Sequence, residues 1–140
     1  MLGQGKGRVP DGQAIAAQES YALLWDAKVR ADGYKMGTDD RTIQDYIGTQ
    51  TRELKRRGLR NIYYVIISSR FSDEFDDLIR ALKIHTGINE VCLLEATALV
   101  AMVDRKLRDP LAVTLGSDGL QQLFSSSGLV KDEDVREYLA

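Results

Sequence analysis

The chain has 140 residues, which suits one domain and leaves little room for two. Its 44% hydrophobic and 29% charged residues are a globular mixture, and a net charge of -2 excludes a uniformly basic nucleic-acid coat, though not a local basic patch. A lone cysteine (Cys92) and a lone histidine (His85) exclude an internal disulfide, a Cys-based zinc cage and a paired-His zinc site, so chemistry must come from carboxylates, lysine and hydroxyls.

Residues 1–9 hold three glycines and two basic residues, with no apolar run beyond Met1-Leu2, the composition of a loop. Gln13–Gln18 reads as a weak strand and Tyr21–Val29 as a strong one, joined by a short turn at Gln18-Glu19-Ser20. Asp32-Gly33 opens a loop, and Thr38-Asp39-Asp40 supplies a hydroxyl cap and two acids for a helix. Ile43, Tyr46, Ile47 and Leu54 then recur at helical spacing until Gly58. Ile62–Ser68 is apolar nearly throughout, as a central strand covered on both faces should be. Ser72-Asp73-Glu74 caps a second helix carrying Phe75, Leu78, Ile79 and Leu82, which stops near Gly87. A short strand Glu90–Leu94, a helix Ala96–Leu107 ending before Pro110, and helical stretches around Leu120–Phe124 and Asp132–Leu139 complete the chain. The order predicts an α/β fold, a central mixed β-sheet flanked by helices. No apolar run approaches the roughly 20 residues of a membrane span. The start has no signal-peptide stretch, so a single cytoplasmic domain over residues 1–140 with no membrane partner is expected.

Pro10-Asp11-Gly12 precedes Asp26-Ala27-Lys28 by fifteen positions. Side chains alternate on a strand, so Asp26 and Lys28 share one face while Trp25 and Ala27 share the other. Strand interiors are poor in Asp and Lys, and two on one face after Leu23-Leu24-Trp25 need a reason. A hairpin centred between Gln18 and Glu19 pairs residues whose numbers sum to 37, which sets Asp11 opposite Asp26. Directly opposed β-carbons lie roughly 5 Å apart, close enough for two carboxylates to share a cation. Magnesium suits such a pair, because hard cations prefer oxygen ligands and keep several waters. Lys28 beside it could orient a water near a phosphate, an arrangement fitted to phosphodiester hydrolysis. A surface ion pair on an exposed hairpin would explain Asp26 and Lys28 alone. Pro10-Asp11 at a compatible distance, on so apolar a strand, favours a site.

Pro10-Asp11 with Asp26-Ala27-Lys28 resembles the PD-(D/E)XK nuclease superfamily and, more narrowly, the cleavage domain of FokI-type IIS restriction endonucleases. The likeness runs from Leu2-Gly3 through Gly33-Tyr34. It resumes at Gln44-Asp45-Tyr46, then at a buried strand followed by Ser-X-X-Phe, and ends in Leu129–Tyr138, which is similar to the family's closing helix. The resemblance implies a restriction-endonuclease-like core, with Asp11 and Asp26 as metal-binding carboxylates and the Ala27 carbonyl as a further ligand. Lys28 would position or activate the attacking water. The implied cofactor is Mg²⁺, with Mn²⁺ as a substitute. The implied reaction on double-stranded DNA leaves a 5′-phosphate and a 3′-hydroxyl, without sequence specificity of its own. Family domains begin with helices ahead of the glycine-rich loop, so the expectation is an excised part of a larger enzyme that also carries a DNA-recognition domain. A repair nuclease or junction resolvase of the same superfamily, and a catalytically silent α/β interaction module, are the competing readings.

The helix from Thr38 to Arg57 places Ile43, Tyr46, Ile47, Gln50 and Leu54 on one stripe and Arg41, Asp45, Gly48 and Arg52 opposite. Arg41 and Asp45 have the spacing of an intrahelical ion pair. The resemblance adds a second reading. FokI-like domains carry an Asp and an Arg here that pair across a two-fold, and Arg41 and Asp45 occupy those places with signs exchanged. Exchange keeps two copies complementary, which implies a transient homodimer. Arg52, Lys55, Arg56, Arg57 and Arg60 complement a helix C-terminus. Lys6 and Arg8 are the better candidates for phosphate contacts. Cys92 reads as core and His85 as a capping or surface residue, while Ser68-Ser69-Arg70 suits a turn or a phosphate contact equally.

Overall fold

The computed structural model describes residues 10–28, 40–69, 71, 75–111, 113–114, 116, 118–126 and 128–139; the side chains of 40–42 and 118 lie outside the description. The strand at Val29, the loop 1–9 with Lys6 and Arg8, Asp32-Gly33, the caps at Thr38-Asp39 and Ser72–Glu74, Arg70 and the Arg41 side chain therefore fall outside the described residues.

Five strands form one sheet in the order β1-β2-β3-β4-β5. They are β1 (Gly12–Ala16), β2 (Tyr21–Lys28), β3 (Asn61–Ser68), β4 (Glu90–Glu95) and β5 (Gly128–Val130). β1 runs antiparallel to β2, and every other neighbouring pair is parallel, so the sheet is mixed as expected. The first strand begins and ends earlier than its sequence suggests, because the connection takes four residues, 17–20, with Ser20 at φ 61. The centre of the hairpin is unmoved. Gly12 pairs Trp25 and Ala16 pairs Tyr21, the register that sets residue 11 opposite residue 26.

Helices cover both faces. α1 (Asp40–Arg56) and α2 (Asp76–Thr86) pack on one side, where Ile43, Ile47, Leu54, Ile79 and Leu82 meet Leu24, Ile62, Ile66 and Leu93. α3 (Ala96–Arg108), α4 (Asp118–Ser125) and α5 (Asp132–Tyr138) cover the other, where Ala98, Leu123, Phe124 and Val135 meet Tyr63, Val65, Cys92 and Leu94. The alternation of β2 divides accordingly: Ala22 and Leu24 face α1, while Tyr21, Leu23 and Trp25 face the opposite layer. α2 ends at Gly87, whose φ of 76 is the left-handed cap that glycine adopts at least cost.

Two expectations are corrected. The helix read at Asp132–Leu139 is present as α5, but the span likened to the family's closing helix, Leu129–Tyr138, opens inside strand β5, Gly128–Val130. Gly-Leu-Val is too short to show a period, and it becomes a strand because the far edge of β4 offers it a ladder. Gly48 does not lie opposite the core. It is buried, and a β-carbon there would sit 3.8 Å from the Thr86 backbone of α2. α1 packs against a helix as well as the sheet, so its buried arc, which also takes in Thr51, is wider than one stripe.

Candidate active site

Asp26 is only 1% exposed, on β2 beneath α1. A carboxylate removed from water is tolerated when its oxygens find donors, and here it finds three. The Asp11 amide donates to its Oδ1 at 2.9 Å. Oδ2 receives the Tyr64 hydroxyl at 2.6 Å and the Tyr46 hydroxyl in a second, short contact. The two phenols lie 3.3 Å apart, oxygen to oxygen. Burial, reinforced by the neighbouring Asp26 charge, pushes the Tyr64 hydroxyl well above its ordinary range, so it stays protonated and serves as a donor.

Asp11 stands just before β1 and is exposed. Its Oδ2 accepts the Ala27 amide at 2.8 Å. The two acids are thus laced together through backbone: the amide of one donates to the carboxylate of the other, whose following residue donates back. Lys28 is the last residue of β2, half-buried and opposite Ser68 of β3. Alternation places it on the Asp26 face. The structure thus brings together Asp11, Asp26 and Ala27, with Lys28 at the adjoining end of the strand.

Among the described residues, no group of three or more His, Cys, Asp or Glu side chains is arranged to hold a metal. Two carboxylates offering oxygen only, one of them exposed, fit a hard cation that completes its shell with backbone oxygen and water. That is the habit of magnesium rather than of zinc.

Tyr46 and Tyr64 are the residues that sequence reasoning missed. Tyr46 fell on the core stripe of α1, and Tyr64 sits in a run of seven apolar or hydroxyl residues where any large side chain would serve. The available signal was a demand rather than a motif: an Asp on a strand buried on both faces requires donors, and phenols among the core aromatics can supply them.

The remaining candidates separate plainly. Asp45 is exposed on α1. Arg52, Lys55, Arg56, Arg57 and Arg60 are all exposed, and Lys55 reaches the Gly87 carbonyl beyond the C-terminus of α2 at 2.8 Å. His85 is exposed and Cys92 is buried core, as expected. Ser68 is 2% exposed at the end of β3. Among the described residues no helix is long and apolar enough to cross a membrane.

A mixed sheet with helices on both faces carries an acidic pair at the open end of its β1–β2 hairpin, and that is the frame of a nuclease cleavage domain. The sequence matches the family described as the FokI cleavage domain over residues 1–131, and the chain belongs to that family of nuclease cleavage domains. Its fold is similar to the solved structure of restriction endonuclease FokI, with a TM-score of 0.68 and 19% identity over 91% of this chain. The match covers 24% of the FokI chain, so this chain spans about a quarter of that protein's length. No curated protein matches the sequence.

Proposed function

We propose that this chain is the cleavage domain of a Mg²⁺-dependent DNA endonuclease of the type IIS kind. The observation that carries the reading is the lacing of Asp11 to Asp26 through the Asp11 and Ala27 amides, beside Lys28. Family membership supplies the reaction class, and DNA is the substrate that the FokI likeness suggests.

Asp11, Asp26 and the Ala27 carbonyl would hold the cation, Mg²⁺ or in its place Mn²⁺. A divalent ion so held supplies charge stabilisation at a phosphoryl oxygen and makes water a better nucleophile. The chain's own part is positional. The lacing amides hold both carboxylates in register, and burial stops Asp26 from swinging away. The Lys28 ammonium orients the attacking water and offsets negative charge that develops at the scissile phosphate. Hydrolysis would leave a 5′-phosphate and a 3′-hydroxyl.

One such site cuts one strand, so a double-strand break calls for two domains. The helix α1, through Arg41 and Asp45, is the proposed contact of a transient homodimer. A recognition domain elsewhere in a longer protein would supply sequence choice, leaving this domain non-specific by itself. Nicking of supercoiled plasmid with Mg²⁺, by this chain and by a longer protein containing it, tests the reading. Loss of nicking in Asp26→Asn supports it; equal nicking by wild type and Asp26→Asn would sink it.

A further inference from the structure

The protein engages one oxygen of Asp11 and both oxygens of Asp26. Oδ2 of Asp11 accepts the Ala27 amide, and Oδ2 of Asp26 accepts two phenols, Tyr46 and Tyr64. A carboxylate oxygen has two lone pairs, so the phenols saturate Oδ2 of Asp26. Oδ1 is engaged by the Asp11 amide alone among the hydrogen bonds described, which leaves it one lone pair.

Resting on the metal-site reading above, we infer that Tyr46 and Tyr64 are positioning residues that make Asp26 a one-oxygen ligand and thereby select a small octahedral cation over a larger one. Magnesium takes six ligands in strict geometry and accepts carboxylates through single oxygens. Calcium takes six to eight and gains from bidentate carboxylates. With Oδ2 of Asp26 saturated, a calcium ion cannot take both oxygens without stripping two phenol donors from a buried charge. Two tyrosines converging on one oxygen are more than neutral core packing needs, since a phenylalanine would fill either place. Their hydroxyls leave a definite record: they determine which oxygen faces the ion.

The test uses Mn²⁺ as a paramagnetic probe, displaced in turn by Mg²⁺ and by Ca²⁺. It compares wild type, Tyr46→Phe, Tyr64→Phe and Asp26→Asn, each checked for folding by circular dichroism. In either phenylalanine variant Mg²⁺ affinity should fall about 10- to 100-fold, the usual cost of losing a group that orients a ligand. Ca²⁺ affinity should fall less, so the Mg²⁺ preference narrows. A preference unchanged in both folded variants, or equal loss for both ions, overturns the inference while leaving the site intact. Failure of Mn²⁺ to bind wild type, or undiminished binding by Asp26→Asn, removes the metal-site reading and the inference with it. Should both variants unfold, carboxylate infrared bands of the wild type decide: a single-oxygen signature at Asp26 on adding Mg²⁺ supports the inference, and a bidentate one refutes it.

Discussion

The indole of Trp25 lies across Gly12, so close that a β-carbon at position 12 would fall 2.2 Å from its ring. The two are register partners on β1 and β2, and their immediate neighbours are Asp11 and Asp26. Glycine is required there for space. Gly12→Ala should destabilise the fold by about 1–3 kcal/mol, the usual cost of overpacking, as read by urea unfolding. Because the displaced strand carries Asp11, Mn²⁺ binding should weaken as well. A variant as stable as wild type would mean that Trp25 moves aside freely.

Asp26→Asn should abolish Mg²⁺-dependent cleavage in a protein that carries the recognition domain. It keeps an acceptor for the phenols but removes the charge that would hold the proposed cation. Asp26→Ala is the poorer test. It strands an amide and two buried hydroxyls, at about 1–3 kcal/mol for each unsatisfied group, so lost folding could be mistaken for lost chemistry. Parallel thermal melts of the two variants should show Asn closer to wild type.

Stability should decline in alkali. Burial, with a smaller contribution from the Asp134 charge, pushes the Cys92 thiol from its ordinary 9.0 up to about 12. Between those values the unfolded chain gives up a proton that the folded chain keeps, so unfolding becomes easier as pH rises. One such group contributes a slope of about 1.4 kcal/mol per pH unit at most, and below pH 9 it contributes none. Urea titrations at pH 8 and pH 10.5 should therefore differ. Cys92→Ala should reduce that difference by one group's share, with Tyr21, pushed up to about 12, still contributing.

Much of this is legible in the sequence. The hairpin register followed from a weak strand and a strong one around a polar turn, and that register alone set Asp11 against Asp26. Ile62–Ser68 announced a strand covered on both sides, and it lies at the centre of the sheet. What escaped depended on partners distant in the chain. The strand β5 exists because β4 has an open edge, and Gly48 is buried because α2 lies over it. The phenols of Tyr46 and Tyr64 reach one oxygen from 20 and 38 positions away. Nothing local in those segments encodes an obligation to Asp26.

Assembly offers a charge-swap test. If Arg41 of one copy meets Asp45 of the other, Arg41→Asp alone should suppress double-strand cleavage while nicking persists. Mixing it with Asp45→Arg should restore the double-strand break, since opposite charges then face each other. Sedimentation should still show weak association of the isolated domain, because a few exposed charges do not hold a stable dimer. A folded pair that fails to rescue would exclude α1 as the contact without touching the hydrolytic site.

Every side chain assigned to the acidic site comes from residues 11–64: Asp11 stands just before β1, and the others belong to β2, α1 and β3. The later helices α3, α4 and α5 press on the reverse of the sheet, behind Tyr63, Val65 and Leu94. Chemistry and scaffolding are thus divided between the two sides of one sheet, and between the earlier and later parts of the sequence. Among the described residues the reverse layer packs the sheet, with Gln121 donating to the Tyr63 hydroxyl, and it places no oxygen of the acidic site. Evolution or an engineer can therefore redraw that layer, or graft a neighbour onto it, and the acids will register the change only as far as the strands transmit it.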